Sequence, residues 1–334
     1  MPEAKSAAMK PSVFREGVKR GLYFDIAQDV LRSPARLERE EQAFLEGLDI
    51  SYRALCAILF NYASNSGHPG GSISSGKIAQ SLLFGGMAYD FSSPDREDAD
   101  LLVYAAGHKA MGLYALWALR NEFARIAAPE LLPRAAKQLR LEDLLGFRRN
   151  PKTGAPLFTA FGAKALDGHP TPATPFVRAA TGASGVGVGA GVGLALAAMD
   201  SYPGCPPRIH ILEGEGGLTA GRAHEAIAAA SSNRLWNVVL HLDWNQASID
   251  SDRVCPENGQ PGDYVQWTPA ELFHMHDWNV VFVGNGHDVF QVRAAQELAA
   301  SLDNRQPTAI IYRTVKGWKY GIEGRSSHGA GHKT

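Results

Sequence analysis

Apolar positions along this chain fall into two kinds of run. Short unbroken runs recur at Leu101–Ala105, Ile209–Leu212, Val238–Leu242, Asp277–Val283 and Pro307–Arg313. Runs this short, bounded by glycine, proline or charge, predict strands buried on both faces. Longer segments between them predict helices: Ile50–Ala63, a second opening near Ser74, Ala110–Glu122, Thr219–Ser231, and Val289–Leu302 with Asp288 as its N-cap acid. A further helix, made of Gly and Ala, opens in 180–189 and continues to Met199. Its small side chains let backbones approach closely, at a ligand or at another subunit. Strands alternating with helices predict an α/β fold, a doubly wound, mostly parallel sheet with helices on both faces. Residues 1–49 are charged and weakly amphipathic, and predict an N-terminal helical arm broken near Ser33-Pro34, with the α/β domain over 50–334. Residues 123–165 read as a surface helix and a Pro/Gly-rich loop without chemistry. The tail after Arg313 has no core pattern and, if ordered, has to lie over something.

The chemistry-bearing residues sit in the turns. Gly214-Glu215-Gly216-Gly217 follows one predicted strand, and Asn245 leaves the next strand 30 residues after Glu215. In open α/β sheets, ligands bind at the carboxyl ends of strands. A carboxylate and an amide there, beside glycines and a helix N-terminus, are hard oxygen ligands suited to Mg²⁺ on a diphosphate. Glycine-rich turns also occur in α/β proteins that hold no metal, so this stretch alone leaves both readings open. Three histidines occupy similar turns: His68 in Gly67-His68-Pro69-Gly70, His108 in Gly107-His108-Lys109, and His169 in Gly168-His169-Pro170. A lone loop histidine most often makes one hydrogen bond and nothing more. Recurrence at element ends favours a shared site, and histidine handles protons near neutral pH. Gly185, Gly187 and Ala190 form a superficial G-x-G-x-x-A. A nicotinamide dinucleotide site needs a strand directly before it, and Val177-Arg178 is a poor one.

Composition narrows the classes. The 334 residues are 45% hydrophobic and 20% charged, with formal net charge −1. That suits a globular core and argues against a nucleic-acid partner. Cys56, Cys205 and Cys255 lie far apart, with no metal spacing or disulfide framework, which favours a reducing, cytoplasmic setting. No apolar run reaches membrane-spanning length, and MPEAKSAAMK lacks the apolar core of a signal peptide.

Taken in order, the turns resemble the N-terminal, diphosphate-binding half of transketolase. Asn65-Ser66-Gly67-His68-Pro69-Gly70, Ala106-Gly107-His108 and Gly168-His169-Pro170 are similar to its three histidine motifs. Thr181-Gly182-Ala183-Ser184-Gly185 stands where the family's backbone meets the cofactor's aminopyrimidine. Gly286-His287-Asp288 and Ser327-His328-Gly329-Ala330 match two late motifs. Gly214-Glu215-Gly216 with Asn245 resembles the family's diphosphate motif, with Glu in place of its metal-binding Asp. Ala220 replaces a usual Glu. Leu218-Thr219-Ala220-Gly221 looks like deoxyxylulose-phosphate synthase, and Thr314-Val315-Lys316-Gly317-Trp318 with the arm is similar to homodimeric pyruvate dehydrogenase.

The resemblance implies a thiamine diphosphate-dependent transferase of two-carbon ketol units between sugar phosphates. It implies that Glu215, Asn245 and the carbonyl of Ala247 hold Mg²⁺ (or Ca²⁺), and that Gly182, Ser184, Gly214, Gly216, Asn245 and His328 bind the cofactor. His68, His108, His169 and His328 become the catalytic histidines. The family's pyrimidine-binding and C-terminal domains do not follow in this chain. Either a second subunit carries them, in a split enzyme assembled as a heterotetramer, which is the preferred expectation, or this sequence is a fragment of a longer chain. Two alternatives stay open: a 2-oxo-acid decarboxylating or synthase subunit, and a non-catalytic scaffold partner.

Overall fold

The structure, a computed structural model, describes residues 18–26, 39–64, 67–148 and 156–329. Its centre is one six-stranded sheet in the order β1-β5-β6-β4-β3-β2, every pairing parallel. The strands are β1 (Tyr23–Asp25), β2 (Leu101–Val103), β3 (Ile209–Gly214), β4 (Val238–Trp244), β5 (Asn279–Val283) and β6 (Thr308–Arg313). Every residue of β3 and β4 is buried, as strands covered on both faces require, including the polar His210, Glu213, His241 and Asp243. The predicted α/β fold class is the observed one.

Helices cover both faces. On one lie α1 (Arg39–Ile58), α2 (Pro69–Ser74), α3 (Gly76–Ser81), α4 (Ala110–Ala127) and, later in the chain, the helix Val289–Ser301. On the other lie α5 (Val186–Ser201), α6 (Gly221–Ser232) and α7 (Pro269–Met275), packed on Ile209, Ile211, Leu240 and Leu242. The Val289–Ser301 helix is α8, and the Asp288 carboxylate caps it by accepting from the Phe290 N–H at 2.9 Å. Helix α7, not foreseen, opens on a capping box of Thr268 and Glu271 with a proline in its first turn.

Where it is described, the arm is helical over 39–49, as expected, and departs from expectation at its earlier segment. Tyr23–Asp25 form an edge strand on β5 rather than helix. Asp277 takes hydrogen bonds from the Arg20 and Gly21 N–H groups at 2.7 and 3.0 Å, and Asn279 takes one from Leu22 N–H at 3.0 Å. These grips lay the strand down without any local apolar pattern. Helix α1 runs unbroken through the expected boundary at 49/50. The expected break at Ser33-Pro34 lies outside the described residues. The tail folds back over α2: Gly317 N–H donates to Gly70 O at 3.0 Å, and Ser327 lies so close over Gly70 that no side chain fits there. Among the described residues no helix is long and apolar enough to cross a membrane.

Candidate active site

The carboxyl ends of the adjacent strands β3, β4 and β6 open on one cavity of about 430 Å³. That volume suits a small-molecule ligand. Of the residues singled out from sequence, Gly182, Ser184, Gly214, Glu215, Gly216, Asn245, Ala247, His68, His108 and His328 all line it. His169 does not. Its ring packs on Gly182, where a Cβ would come within 2.9 Å of it. A second tight approach brings the His108 turn against the same loop, since a Cβ on Gly107 would lie 2.9 Å from the Gly182 Cα.

Glu215 and Asn245 meet. The Asn245 N–H donates to Glu215 Oε2 at 3.3 Å, while Glu215 Oε1 is buried with no partner. Burial pushes the Glu215 carboxyl up to about 7, with the nearby Asp243 carboxylate adding to it. Asn245 Oδ1 accepts from Ala247 N–H at 3.0 Å. The Ala247 carbonyl accepts from Lys316 Nζ at 3.1 Å and keeps a second lone pair. A carboxylate, an amide oxygen and a carbonyl form a hard donor set suited to Mg²⁺ or Ca²⁺. Among the described residues no three His, Cys, Asp or Glu side chains gather as a metal cluster, so this set is distinct in kind from a His/Cys site.

The histidines are prepared for different roles. His68 Nδ1 lies 2.8 Å from the His328 carbonyl, so it carries the proton and leaves Nε2 as an acceptor. His328 Nδ1 lies 2.6 Å from Lys316 Nζ and accepts from the ammonium, which leaves Nε2–H as a donor. The His68 ring stands edge-on to both His108 and His328, with centroids 5.2 and 5.0 Å away. Burial lowers the His68 pKa, and lowers that of His108 well below the usual imidazole value, with Lys109 reinforcing the latter. Both rings are held neutral at pH 7.

Sequence reasoning missed the charged floor of the site. Lys109 and Asp243 form an ion pair at 2.6 Å, with side chains 2% and 0% exposed. Asp243 also accepts from Ser74 Oγ at 2.5 Å, Asn245 Nδ2 at 3.1 Å and Thr314 Oγ1. Burial alone would raise the Asp243 pKa, but the Lys109 charge and these donors hold it below the usual carboxylate range. Glu213 lines the cavity too, and burial pushes it up to about 7. Lys316, also in the lining, is lowered to about 8 by burial. Two signals were present: Lys109 directly follows a turn histidine, and Asp243 interrupts an apolar run.

A model of the family described as "Transketolase, thiamine diphosphate binding domain" matches residues 139–334. Transketolase-like protein 2 of Mus musculus is 32% identical over 272 residues, covering 80% of this chain and 36% of that protein. Transketolase of Homo sapiens is 31% identical over 284 residues, covering 80% and 37%. The chain thus spans little more than a third of the length of these curated relatives. Among solved structures, transketolase from Campylobacter jejuni superposes with a TM-score of 0.69 at 27% identity, over 86% of this chain and 40% of that one. Transketolase from Leishmania mexicana gives 0.67 at 26%, over 86% and 39%.

Proposed function

Since the chain belongs to the family of transketolase thiamine diphosphate-binding domains, we propose that it is the diphosphate- and metal-binding part of an enzyme transferring two-carbon ketol units between sugar phosphates. The observation that carries this reading is the meeting of Glu215 and Asn245 at neighbouring strand tips, beside the Ala247 carbonyl and inside one cavity. These three residues would hold Mg²⁺, or Ca²⁺, against the diphosphate. The unpartnered Glu215 Oε1 fits that role, because a buried carboxylate oxygen needs a cation or a donor. Gly214 and Gly216 would let backbone N–H groups approach the diphosphate, and Lys316 would offset its charge. Gly182 and Ser184 would meet the aminopyrimidine end.

When bound, thiamine diphosphate supplies a nucleophilic carbon and an electron sink for C–C bond cleavage. The chain's own part is to orient it and to move protons on substrate hydroxyls. His68 Nε2 is set to accept a proton and His328 Nε2–H to donate a hydrogen bond, across one cavity. His108 and His169 would extend this lining. In this reading the pyrimidine-binding domain comes from a second polypeptide, and the two chains form a heterotetramer. This chain covers 36% and 37% of the two relatives' own lengths.

Calorimetry with thiamine diphosphate and Mg²⁺, on this chain together with a chain carrying the second domain, tests the proposal. Metal-dependent binding that Glu215→Ala abolishes is the expected result. Absence of binding would instead favour a scaffold role. If binding holds, ketol transfer from a sugar phosphate against turnover of pyruvate separates a transketolase from a 2-oxo-acid enzyme.

A further inference from the structure

We propose that Lys109 is a positioning residue of this site: its buried ammonium holds Asp243, and Asp243 in turn decides which way the Asn245 amide faces. The inference rests on the metal–diphosphate reading above and adds to it a residue from the floor of the same cavity.

An asparagine side chain can turn over at almost no steric cost, exchanging a carbonyl oxygen for an NH₂. Only its hydrogen-bond partners settle the choice. Here every partner of Asp243 donates to it: Lys109 Nζ, Ser74 Oγ, Asn245 Nδ2 and Thr314 Oγ1. Ser74 Oγ lies 2.5 Å from Asp243 Oδ2 and 3.1 Å from the Gly71 carbonyl; its one proton goes to the nearer, charged acceptor, and its oxygen can only accept from Asn245 Nδ2, at 3.3 Å. Two acceptors thus face the Asn245 NH₂, and the Ala247 N–H faces its Oδ1 at 3.0 Å. A turned-over amide would set its oxygen against the Asp243 carboxylate. Asp243 plays this part through an accepting oxygen, and as a carboxylate with no exposed surface it needs a charge partner, whereas an amide at the same place would offer an accepting oxygen without that need. Lys109, 134 residues away in sequence, is that partner. It reaches Asp243 by threading past Gly71 and Gly214, where added Cβ atoms would stand 3.4 and 3.5 Å from its side chain.

The test compares the full chain with Lys109→Met and with Lys109→Met/Asp243→Asn, whose pair is neutral and close to isosteric. Circular dichroism checks the fold, and two quantities are read. One is the hydrogen-exchange protection of the Asn245 side-chain amide by NMR, assigned through Asn245→Asp. The other is the affinity for Mg²⁺ plus thiamine diphosphate with the second-domain chain present. Lys109→Met is expected to lose the amide protection and about 10- to 100-fold in affinity, the usual cost of removing a residue that orients a ligand. The double variant is expected to recover most of both. A folded Lys109→Met that keeps both quantities overturns the proposal. So does a folded double variant no better than the single one, which would place the Lys109 charge on the diphosphate itself. Should Lys109→Met fail to fold, the double variant alone decides, by keeping or losing the amide protection. Wild-type protein that binds neither metal nor cofactor overturns the preceding functional reading, and the amide signal still decides the role of Lys109.

Discussion

Two buried polar networks lie on the same face of strands β3, β4 and β6, and they solve the same problem in opposite ways. At the strand tips, Asp243 gathers Lys109, Ser74, Asn245 and Thr314 around a formal charge. Further back, His210, His241, Tyr312, Gln296 and Ser81 form a ladder. It runs from His210 Nδ1 to His241 Nε2 at 3.0 Å and from His241 Nδ1 to the Tyr312 hydroxyl at 3.1 Å, with Gln296 reaching Tyr312 at 3.4 Å and Ser81 at 2.9 Å. Asp243 and His241 are two residues apart on β4, so they project from one face. The first network is ionic and underlies the cavity. The second holds a histidine that burial drives well below its ordinary pKa, and it is sealed under α3 and α8. A buried ion pair costs much desolvation, whereas hydrogen-bonded neutral groups cost little; the open end of the ladder is His210 Nε2, buried and 3.6 Å from Asp100 Oδ2. The Lys109–Asp243 charge lies where an ion and a diphosphate would use it, whereas burial keeps His241, in the sealed part of the sheet, neutral.

The contrast can be broken most severely at its ionic end. Asp243→Ala leaves the Lys109 ammonium buried and alone, and should cost about 3–5 kcal/mol in urea unfolding, together with metal-dependent cofactor binding. Tyr312→Phe, in the neutral ladder, strips a partner from both His241 and Gln296. It should cost about 1–3 kcal/mol and leave cofactor affinity unchanged. A shift in affinity there would mean that the two networks are coupled. Acid sharpens the difference further. Because the folded pKa of His241 is depressed, the unfolded chain binds the extra proton first. Stability is then full above the unfolded value of 6.5 and falls below it, by about 1.4 kcal/mol per pH unit for this one group. The Asp243 pKa is depressed below 3.8, so its contribution is lost only at lower pH. Because the raised Glu213 and Glu215 carboxyls act with the opposite sign in this window, denaturant midpoints at pH 7, 6 and 5 are compared between wild type and His241→Gln, and identical slopes would contradict a neutral, sealed His241. The smallest effect belongs to a group outside both networks. Asp288→Ala removes the α8 cap and should cost about 1 kcal/mol with no change in ligand binding.

Strand β4 shows where reading the chain in one dimension stops. Its apolar run ends at Leu242, because a carboxylate does not belong in a buried strand. In the fold the strand continues to Trp244, since Lys109 neutralises Asp243 from 134 residues away. Lys316 was hidden in a similar way, since its neighbours Ala247 and His328 come from a loop 69 residues before it and from the tail 12 residues after it. The glycine and histidine turns were legible because each carries its signal locally, and ten of the eleven residues drawn from them line one cavity. His169 is the exception, as it faces the Gly182 loop from outside. Helix α7 had a readable start in Thr268-Pro269-Ala270-Glu271, which went unused. Strand β1 had none, for its partners Asp277 and Asn279 lie more than 250 residues on.

That last pairing bears on how the molecule is assembled. Tyr23–Asp25 can add to the sheet only after Val280–Phe282 exist, so the first strand in order cannot dock until β5 has been made. While a ribosome makes the chain, the outer edge of β5 has no neighbour until this early segment finds it. Loop-closure entropy makes such a long-range step slow. Excess of a peptide spanning 18–26, added during refolding, should therefore compete for that edge and delay recovery of native fluorescence.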